Sequence, residues 1–382
     1  MHLGMMTTRV QAESLQNATE STTWGEWDPR VELAGLTALR GIAAILVVVF
    51  HVDVVLSDAA GQQLVLGPMR AIVERGYLFV DLFFLLSGVV IAHVYGQRSI
   101  ASGGEYRSFL WNRLARIYPM HLVATLLFVL PLIAGLTEFN DRNSVGSLAS
   151  EFLLANSIGL FDTLAWNEIS WSISAEWFAY LLAPFILRLV RPQTSSARVA
   201  VGVFIVSWGA LLVMAHGGSL DDFTFRLGAV RGILGFAAGI ALYRLHRLSS
   251  IATLAAKPAA FVISVLLTGV AVATAGNEAL VIVAFAALIL SSIHASGTTL
   301  KVLRWRPLEW LGQISYSVYL LQLFVLVFFL TYWDGRVGEG TAAEVWLWLI
   351  AMLVALCGVS TLTYRRIERP AQQAMRKLAQ RS

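Results

Sequence analysis

Cysteine is nearly missing from this chain: Cys357 is the single one among 382 residues. No internal disulfide framework and no CxxC metal site can be built from one cysteine, and its place inside an apolar run makes it a packing residue. Charge is scarce as well. Asp, Glu, Lys and Arg supply 14% of the residues, and although the net charge is +4, no basic block of the kind that binds nucleic acid is present. No HExxH, GxSxG or P-loop pattern occurs, which removes the sequence signatures of the zinc proteases, the serine hydrolases and the P-loop phosphohydrolases. The first 35 or so residues are polar and unpatterned, with no apolar run long enough for a cleavable signal peptide. They read as a cytoplasmic tail, 1–35.

What the chain has in abundance is apolar length. Hydrophobic residues make up 57% of it and the mean hydropathy is +0.69, more apolar surface than a soluble core could bury. A membrane-spanning helix needs roughly 20 apolar residues, and ten segments qualify: about 36–56, 77–96, 118–136, 172–190, 198–216, 229–246, 258–275, 278–295, 312–332 and 345–365. The expected fold is therefore all-α, a polytopic transmembrane helical bundle of about ten helices. With the N-terminus placed in the cytoplasm, most of the 28 Lys and Arg residues fall on the inner side, and only Arg70, Arg75, Arg142, Arg226, Arg231 and Arg336 fall outside. That bias puts both termini in the cytoplasm. The longest external segment, about 137–171, contains a moderately apolar stretch from Leu148 to Leu160 suited to an amphipathic or re-entrant element. Residues 36–368 form the membrane domain and 369–382 a basic cytoplasmic tail. No internal repeat of the transporter kind is visible, which weighs against a secondary transporter or exporter, the competing class for ten spans with buried charges.

Ionisable residues inside apolar spans are costly and mark pathways, partners or chemistry. Arg40 and His51 lie eleven residues apart in the first span, about three turns and roughly 16 Å along one helix face. Arg40 sits near the inner boundary, where it can also simply snorkel, and His51 in the outer half. Asp81, in the second span, falls at a depth matching His51, so that a His51–Asp81 pair is allowed in which the carboxylate orients the imidazole as a general base; the alternative is that Asp81 caps its helix. In SFLWNRLARIYP, Arg113 and Arg116 share one face if the segment is helical. Two guanidiniums suit a phosphate-bearing donor, or plain anchoring to lipid headgroups.

Six ordered blocks carry a family likeness. They are the first helix from Leu39 to His51, VDLFFLLSG (Val80 to Gly88), Arg113 to Pro119, SWSISAEWFAYLLAP (Ser170 to Pro184), LGQISYSVYLLQ (Leu311 to Gln322) and the closing YRRIERP. In these the chain resembles the acyltransferase-3 family of integral membrane O-acyltransferases, over nearly its whole length. The resemblance implies a bacterial cytoplasmic-membrane enzyme without a metal that takes an acetyl or other short acyl group from acyl-CoA in the cytoplasm. The acceptor it implies is a hydroxyl of a glycan, glycolipid or glycosylated small molecule, cell-surface polysaccharide first and a natural product such as a macrolide second. It makes His51 the catalytic base or acyl relay with Arg40 in support, and Arg113 and Arg116 the donor-phosphate contacts. Glu176 matches the acid of the fourth block and either positions the acceptor hydroxyl or forms an ion pair with Arg226 or Arg231. Glu368 matches the acid of the closing block, where a structural pair with Arg113 or Arg116 is the expectation. The chain departs from the family at Gln322, where many members carry His, so no second histidine acts there. His93, His121, His216, His246 and His294 fall on no motif, and Trp171 and Tyr316 read equally as packing aromatics.

Overall fold

The computed structural model describes residues 29–60, 69–96, 103–135, 138–190, 196–216, 218–274, 276, 278–332 and 341–379. Most of the expected tail, 1–28, lies outside the described residues. Among the described residues there is no strand. The main helices are α1 (Pro29–Ala60), α2 (Phe79–Tyr95), α3 (Gly103–Ile133), a short α4 (Val145–Phe152), α5 (Trp171–Val190), α6 (Ala197–His216) and α7 (Gly228–Leu245). They continue with α8 (Ser249–Ala255), α9 (Pro258–Thr274), α10 (Ala279–Ile293), α11 (Gly297–Leu303), α12 (Arg306–Tyr332) and α13 (Ala342–Thr363), which runs through a π turn (Tyr364–Glu368) into α14 (Arg369–Ala379).

Among the described residues eight helices are long and apolar enough to cross a membrane, and the number reaches ten if each of two bent pairs counts as one span. The bends are 81° between α8 and α9 and 106° between α10 and α11. The bend after α8 falls at Lys257–Pro258, where the ring of Pro258 denies the residue before it the helical conformation. The outward faces of α9 and α13 expose Leu266, Leu267, Val270, Leu347, Ile350 and Val354, as lipid-facing surfaces do. The chain is a multi-pass membrane protein. Two expectations of extent are revised. The third helix begins at Gly103, so Arg113 and Arg116 lie on a continuous helix rather than in a link before it. The basic 369–382 stretch holds a helix as far as Ala379, packed along α3.

Helices in lipid gain little from burying apolar surface against one another, so backbones approach where small residues permit it. On α2 and α7, Gly88 and Gly239 face each other: a Cβ on Gly239 would stand 2.1 Å from the Leu85 carbonyl oxygen, and one on Gly88 2.1 Å from that of Phe236. Gly312 of α12 meets α1 in the same manner, 2.0 Å from the Thr37 oxygen. These contacts fix two tight helix pairs, α2–α7 and α1–α12, around which the other helices are arranged.

The segment between α3 and α5 is partly helical, as expected, but its organising residue is an acid. Glu151 of α4 is 1% exposed, accepting from Ser170 Oγ at 2.6 Å and Asn156 Nδ2 at 2.9 Å, while its backbone oxygen meets His121 Nε2 at 2.9 Å. Burial pushes its carboxyl up to about 8, against the two donors that favour ionisation.

Two predictions follow from this packing. Gly239→Val should lower stability by about 1–3 kcal/mol, read as a lower thermal unfolding midpoint in detergent, whereas Gly269→Val on α9, where an added Cβ meets nothing within 4 Å, should leave the midpoint unchanged. Folded Glu151 keeps its proton up to about pH 8, while an unfolded chain loses it near 4.5. The native state thus binds the extra proton across that window, and stability should fall as pH rises through it. Glu151→Gln, which stays neutral, should flatten that slope of midpoint against pH.

Candidate active site

A cavity opens between α1, α2, α3, α5 and α12, with about 850 Å³ of empty space that includes a part open to solvent. Its walls are apolar except for a convergent polar set: Arg40 from α1, Ser87 from α2, Arg113 and Arg116 from α3, Ser172, Glu176 and Tyr180 from α5, and Ser315, Tyr316 and Tyr319 from α12. Four of the seven residues singled out in the sequence therefore meet on one cavity.

Glu176 is held by neutral donors. Ser87 Oγ donates to its Oε1 at 2.7 Å and Tyr180 OH to the same oxygen at 2.5 Å. The ion pair with Arg226 or Arg231 considered for it is not formed. Arg226 is on the surface with Asp162 at 3.0 Å, and Arg231 belongs to Asp81. Since Tyr180 is one helical turn after Glu176, α5 itself supplies one of the two donors.

At the basic end, Arg116 forms an ion pair with Glu368, whose second oxygen accepts from Ser317 at 2.7 Å. The π turn carries Glu368 inward to 2% exposure. The Arg116 guanidinium also lies over the Tyr316 ring at 5.1 Å. Arg113 donates to Tyr95 OH at 3.3 Å and stacks on that ring at 5.3 Å, with its Nε buried and unpartnered. Arg40 makes no direct ion pair among the described residues, yet lies within electrostatic range of Arg116, Glu176 and Glu368. Three guanidiniums thus gather at the cavity against two carboxylates, Glu368 paired with Arg116 and Glu176 held by hydroxyls.

His51 does not line the cavity. It stands three turns further along α1, with Nδ1 2.9 Å from the Val47 carbonyl oxygen. Since a carbonyl only accepts, that contact assigns the proton of a neutral ring to Nδ1 and leaves Nε2 with its lone pair. The neighbouring polar side chain is Gln322, 1% exposed, which donates Nε2 to the Tyr319 carbonyl at 2.9 Å. Tyr319 lines the cavity, so a line of polar groups runs from the basic end past Tyr319 and Gln322 to His51.

The expected pairing of Asp81 with His51 is corrected. Both Asp81 oxygens accept from Arg231, Oδ1 from Nε at 2.9 Å and Oδ2 from Nη2 at 2.7 Å, and both side chains are 0% exposed. Arg231 also donates to the Leu220 carbonyl at 2.7 Å and lies over Trp171 at 5.2 Å. Matched depth on two helices does not make them neighbours on the same side, and α2 turns Asp81 toward α7. Ser87, Tyr180, Tyr319 and Arg231 were not singled out from the sequence. The first three lie within the quoted blocks, while a buried arginine near the start of an apolar span was itself a signal. Among the described residues no cluster of His, Cys, Asp and Glu is placed to hold a metal ion.

A bundle of membrane helices around a cavity with basic and acidic walls defines a multi-pass membrane protein with a polar site within its helices. Residues 33–365 match the family model described as an acyltransferase domain, and the chain belongs to that acyltransferase-3 family. It is 35% identical over 173 residues to acyltransferase MdmB of Streptomyces mycarofaciens, covering 43% of this chain and 41% of that one. Identity is 23% over 385 residues to the putative peptidoglycan O-acetyltransferase YrhL of Bacillus subtilis, covering 91% of this chain and 56% of that one. It is 23% over 382 residues to O-acetyltransferase OatA of Staphylococcus aureus, covering 91% and 58%. The chain thus spans less than two thirds of the length of these relatives. No solved structure matches it.

The Asp81–Arg231 pair yields a prediction. Arg231→Met alone, which strands a buried carboxylate, should cost about 3–5 kcal/mol. Asp81→Leu combined with Arg231→Met should recover most of that loss, as read from thermal unfolding in detergent. A double variant no more stable than the single one would show that the pair does more than neutralise itself.

Proposed function

We propose that this chain is a membrane O-acyltransferase that moves an acetyl or other short acyl group from acyl-CoA onto a hydroxyl of a glycan or glycosylated acceptor. The observation that carries the reading is the cavity walled by Arg40, Arg113, Arg116 and Glu176, continued past Tyr319 and Gln322 to His51. The names of the relatives YrhL and OatA, both O-acetyltransferases, support it. In this reading the basic end faces the cytoplasm, as do both termini, and the membrane is the bacterial cytoplasmic membrane.

The donor's phosphates rest on Arg113 and Arg116, with Glu368 holding Arg116 in place. The thioester arm then extends along the cavity, between walls of Phe83, Phe84 and Ile173 that admit a thin flexible chain. Beyond the cavity, past Tyr319 and Gln322, His51 Nε2 takes the proton of the acceptor hydroxyl. The hydroxyl oxygen bonds the thioester carbonyl carbon, the carbon–sulfur bond breaks, and the thiolate leaves as CoA after taking up the proton from the imidazolium. The Val47 carbonyl serves as the fixed partner of Nδ1–H, the place a carboxylate fills in a Ser-His-Asp triad. Attack by Nε2 itself, with an acyl-imidazole passed to the acceptor in a second step, uses the same atoms. Arg40 and Glu176 set the charge midway, where the carbonyl passes and where an acceptor hydroxyl finds a hydrogen-bond partner.

The test is acyl transfer from radiolabelled acetyl-CoA by the purified chain, in membranes supplying surface glycan or with a glycosylated small molecule added. His51→Ala should reduce turnover by about 10²–10⁴-fold, and Arg113→Gln should raise the KM for acetyl-CoA with a smaller change in kcat. Full activity in His51→Ala would remove the mechanism. Movement of the acceptor without release of CoA would replace the enzyme with a transporter.

A further inference from the structure

One basic residue beside the cavity lies outside the matched acyltransferase region of 33–365 and outside every motif read from the sequence: Arg376, on α14. The π turn at Tyr364–Glu368 sends α14 back along α3, with Glu368 turned inward to Arg116 and Ser317. Seven residues on, two full turns, Met375 returns to the same face. Its carbonyl accepts from Trp111 Nε1 of α3 at 2.6 Å, two residues before Arg113. That bond holds the next residue, Arg376, within electrostatic range of Arg113, Arg116 and Tyr95. Arg376 is exposed and Arg113 half-exposed, so both are open to a ligand. Among the described residues neither one bonds a carboxylate, since Glu368 is engaged with Arg116 and Ser317.

Guanidiniums brought together without a carboxylate between them repel one another, and an anion entering between them would relieve that repulsion. Arg offers a planar fork matched to phosphate oxygens. Two sources of phosphate can reach this end of the bundle, the nucleotide part of a donor and the headgroups of anionic lipid. The position favours the donor. Arg113 belongs at once to this group and to the cavity wall, so an anion bridging Arg376 and Arg113 sits at one end of the path along which the acyl arm must extend.

We infer that Arg376 is a donor-binding residue: with Arg113 it grips a phosphate group of the nucleotide portion of acyl-CoA, and α14 forms one wall of that subsite. The inference rests on the acyl-CoA donor proposed above and extends the site beyond the acyltransferase motifs to the C-terminal helix.

The experiment is equilibrium binding of CoA to the full chain in nanodiscs of phosphatidylcholine, repeated in discs containing phosphatidylglycerol. Arg376→Gln should weaken CoA binding by about tenfold or more, the loss expected for one charge-assisted contact, and raise the KM for acetyl-CoA while leaving kcat unchanged. Arg376→Lys should recover part of the affinity. Lys377→Gln removes the same charge one position along the same helix and should change binding by less than about twofold. Equal weakening in Lys377→Gln would reduce the effect to general electrostatics and overturn the inference. So would unchanged CoA affinity in Arg376→Gln, and if that variant instead lost a preference for phosphatidylglycerol, the guanidinium would belong to the lipid headgroup. Wild-type protein that binds no CoA in either disc would bring down the donor assignment and this inference together, whereas binding that is indifferent to Arg376 brings down the inference alone.

Discussion

The ion pair between Asp81 and Arg231 is completely buried between α2 and α7, and the geometry of the site hangs from it. Burying either charge alone would cost several kcal/mol, so the two helices are held in the one register that lets the guanidinium fork meet both carboxylate oxygens. The glycine contacts along the same seam, Gly88 against Phe236 and Gly239 against Leu85, allow the backbones to come close enough for that. With α2 fixed by these contacts, Ser87 is aimed at Glu176 and Tyr95 at Arg113. Three polar residues of one apolar helix thereby set, in turn, the scaffold, the acidic wall and the basic end.

The cavity follows a different rule from the seam. At the seam each buried charge is matched atom for atom, whereas in the cavity positive charge exceeds negative and the spare donors face empty space. Glu176 is bonded by the hydroxyls of Ser87 and Tyr180 rather than by an arginine. Arg116 alone is neutralised directly, by Glu368. An imbalance of this kind in a region of low dielectric is stabilised when an anion enters, which supports the proposed reading of the cavity as a site for a phosphate-bearing molecule.

Much of this was legible in the sequence because charge in an apolar span is conspicuous. Arg40 and Glu176 were picked on that ground, Arg113 and Arg116 for their shared helix face and Glu368 for the closing block, and the structure brings all five to one cavity or its edge. Helix count was legible from apolar length, although the polar start of α3, with Glu105, Arg107, Arg113 and Arg116, falls below any hydropathy threshold and still forms helix. The Asp81 pairing was not legible, because depth can be read from residue counts while the identity of the neighbouring helix cannot. Ser87 and Tyr180 were hidden for another reason: neutral hydroxyls are common in membrane helices, and nothing in one sequence separates a ligand of Glu176 from a hydroxyl bonded to its own backbone. The C-terminal basic stretch looked like a tail because its charges are dense, and only the π turn and the Trp111 contact reveal it as a helix returned onto α3.

Distance gives the arrangement its consequence for chemistry. Arg40 and His51 are separated by roughly 16 Å along α1, so a group held by its phosphates at the basic end reaches His51 only if the rest of it is long, thin and flexible. A compact phosphorylated donor held by the same arginines would leave its reactive carbon near Glu176, short of the imidazole. In the proposed reading the separation acts as a ruler that selects the shape of the donor. It would keep His51 away from the proposed phosphate end, so that an acceptor approaching the imidazole need not pass the guanidiniums. Donor and acceptor would then lie on a common line and enter from opposite ends of the bundle.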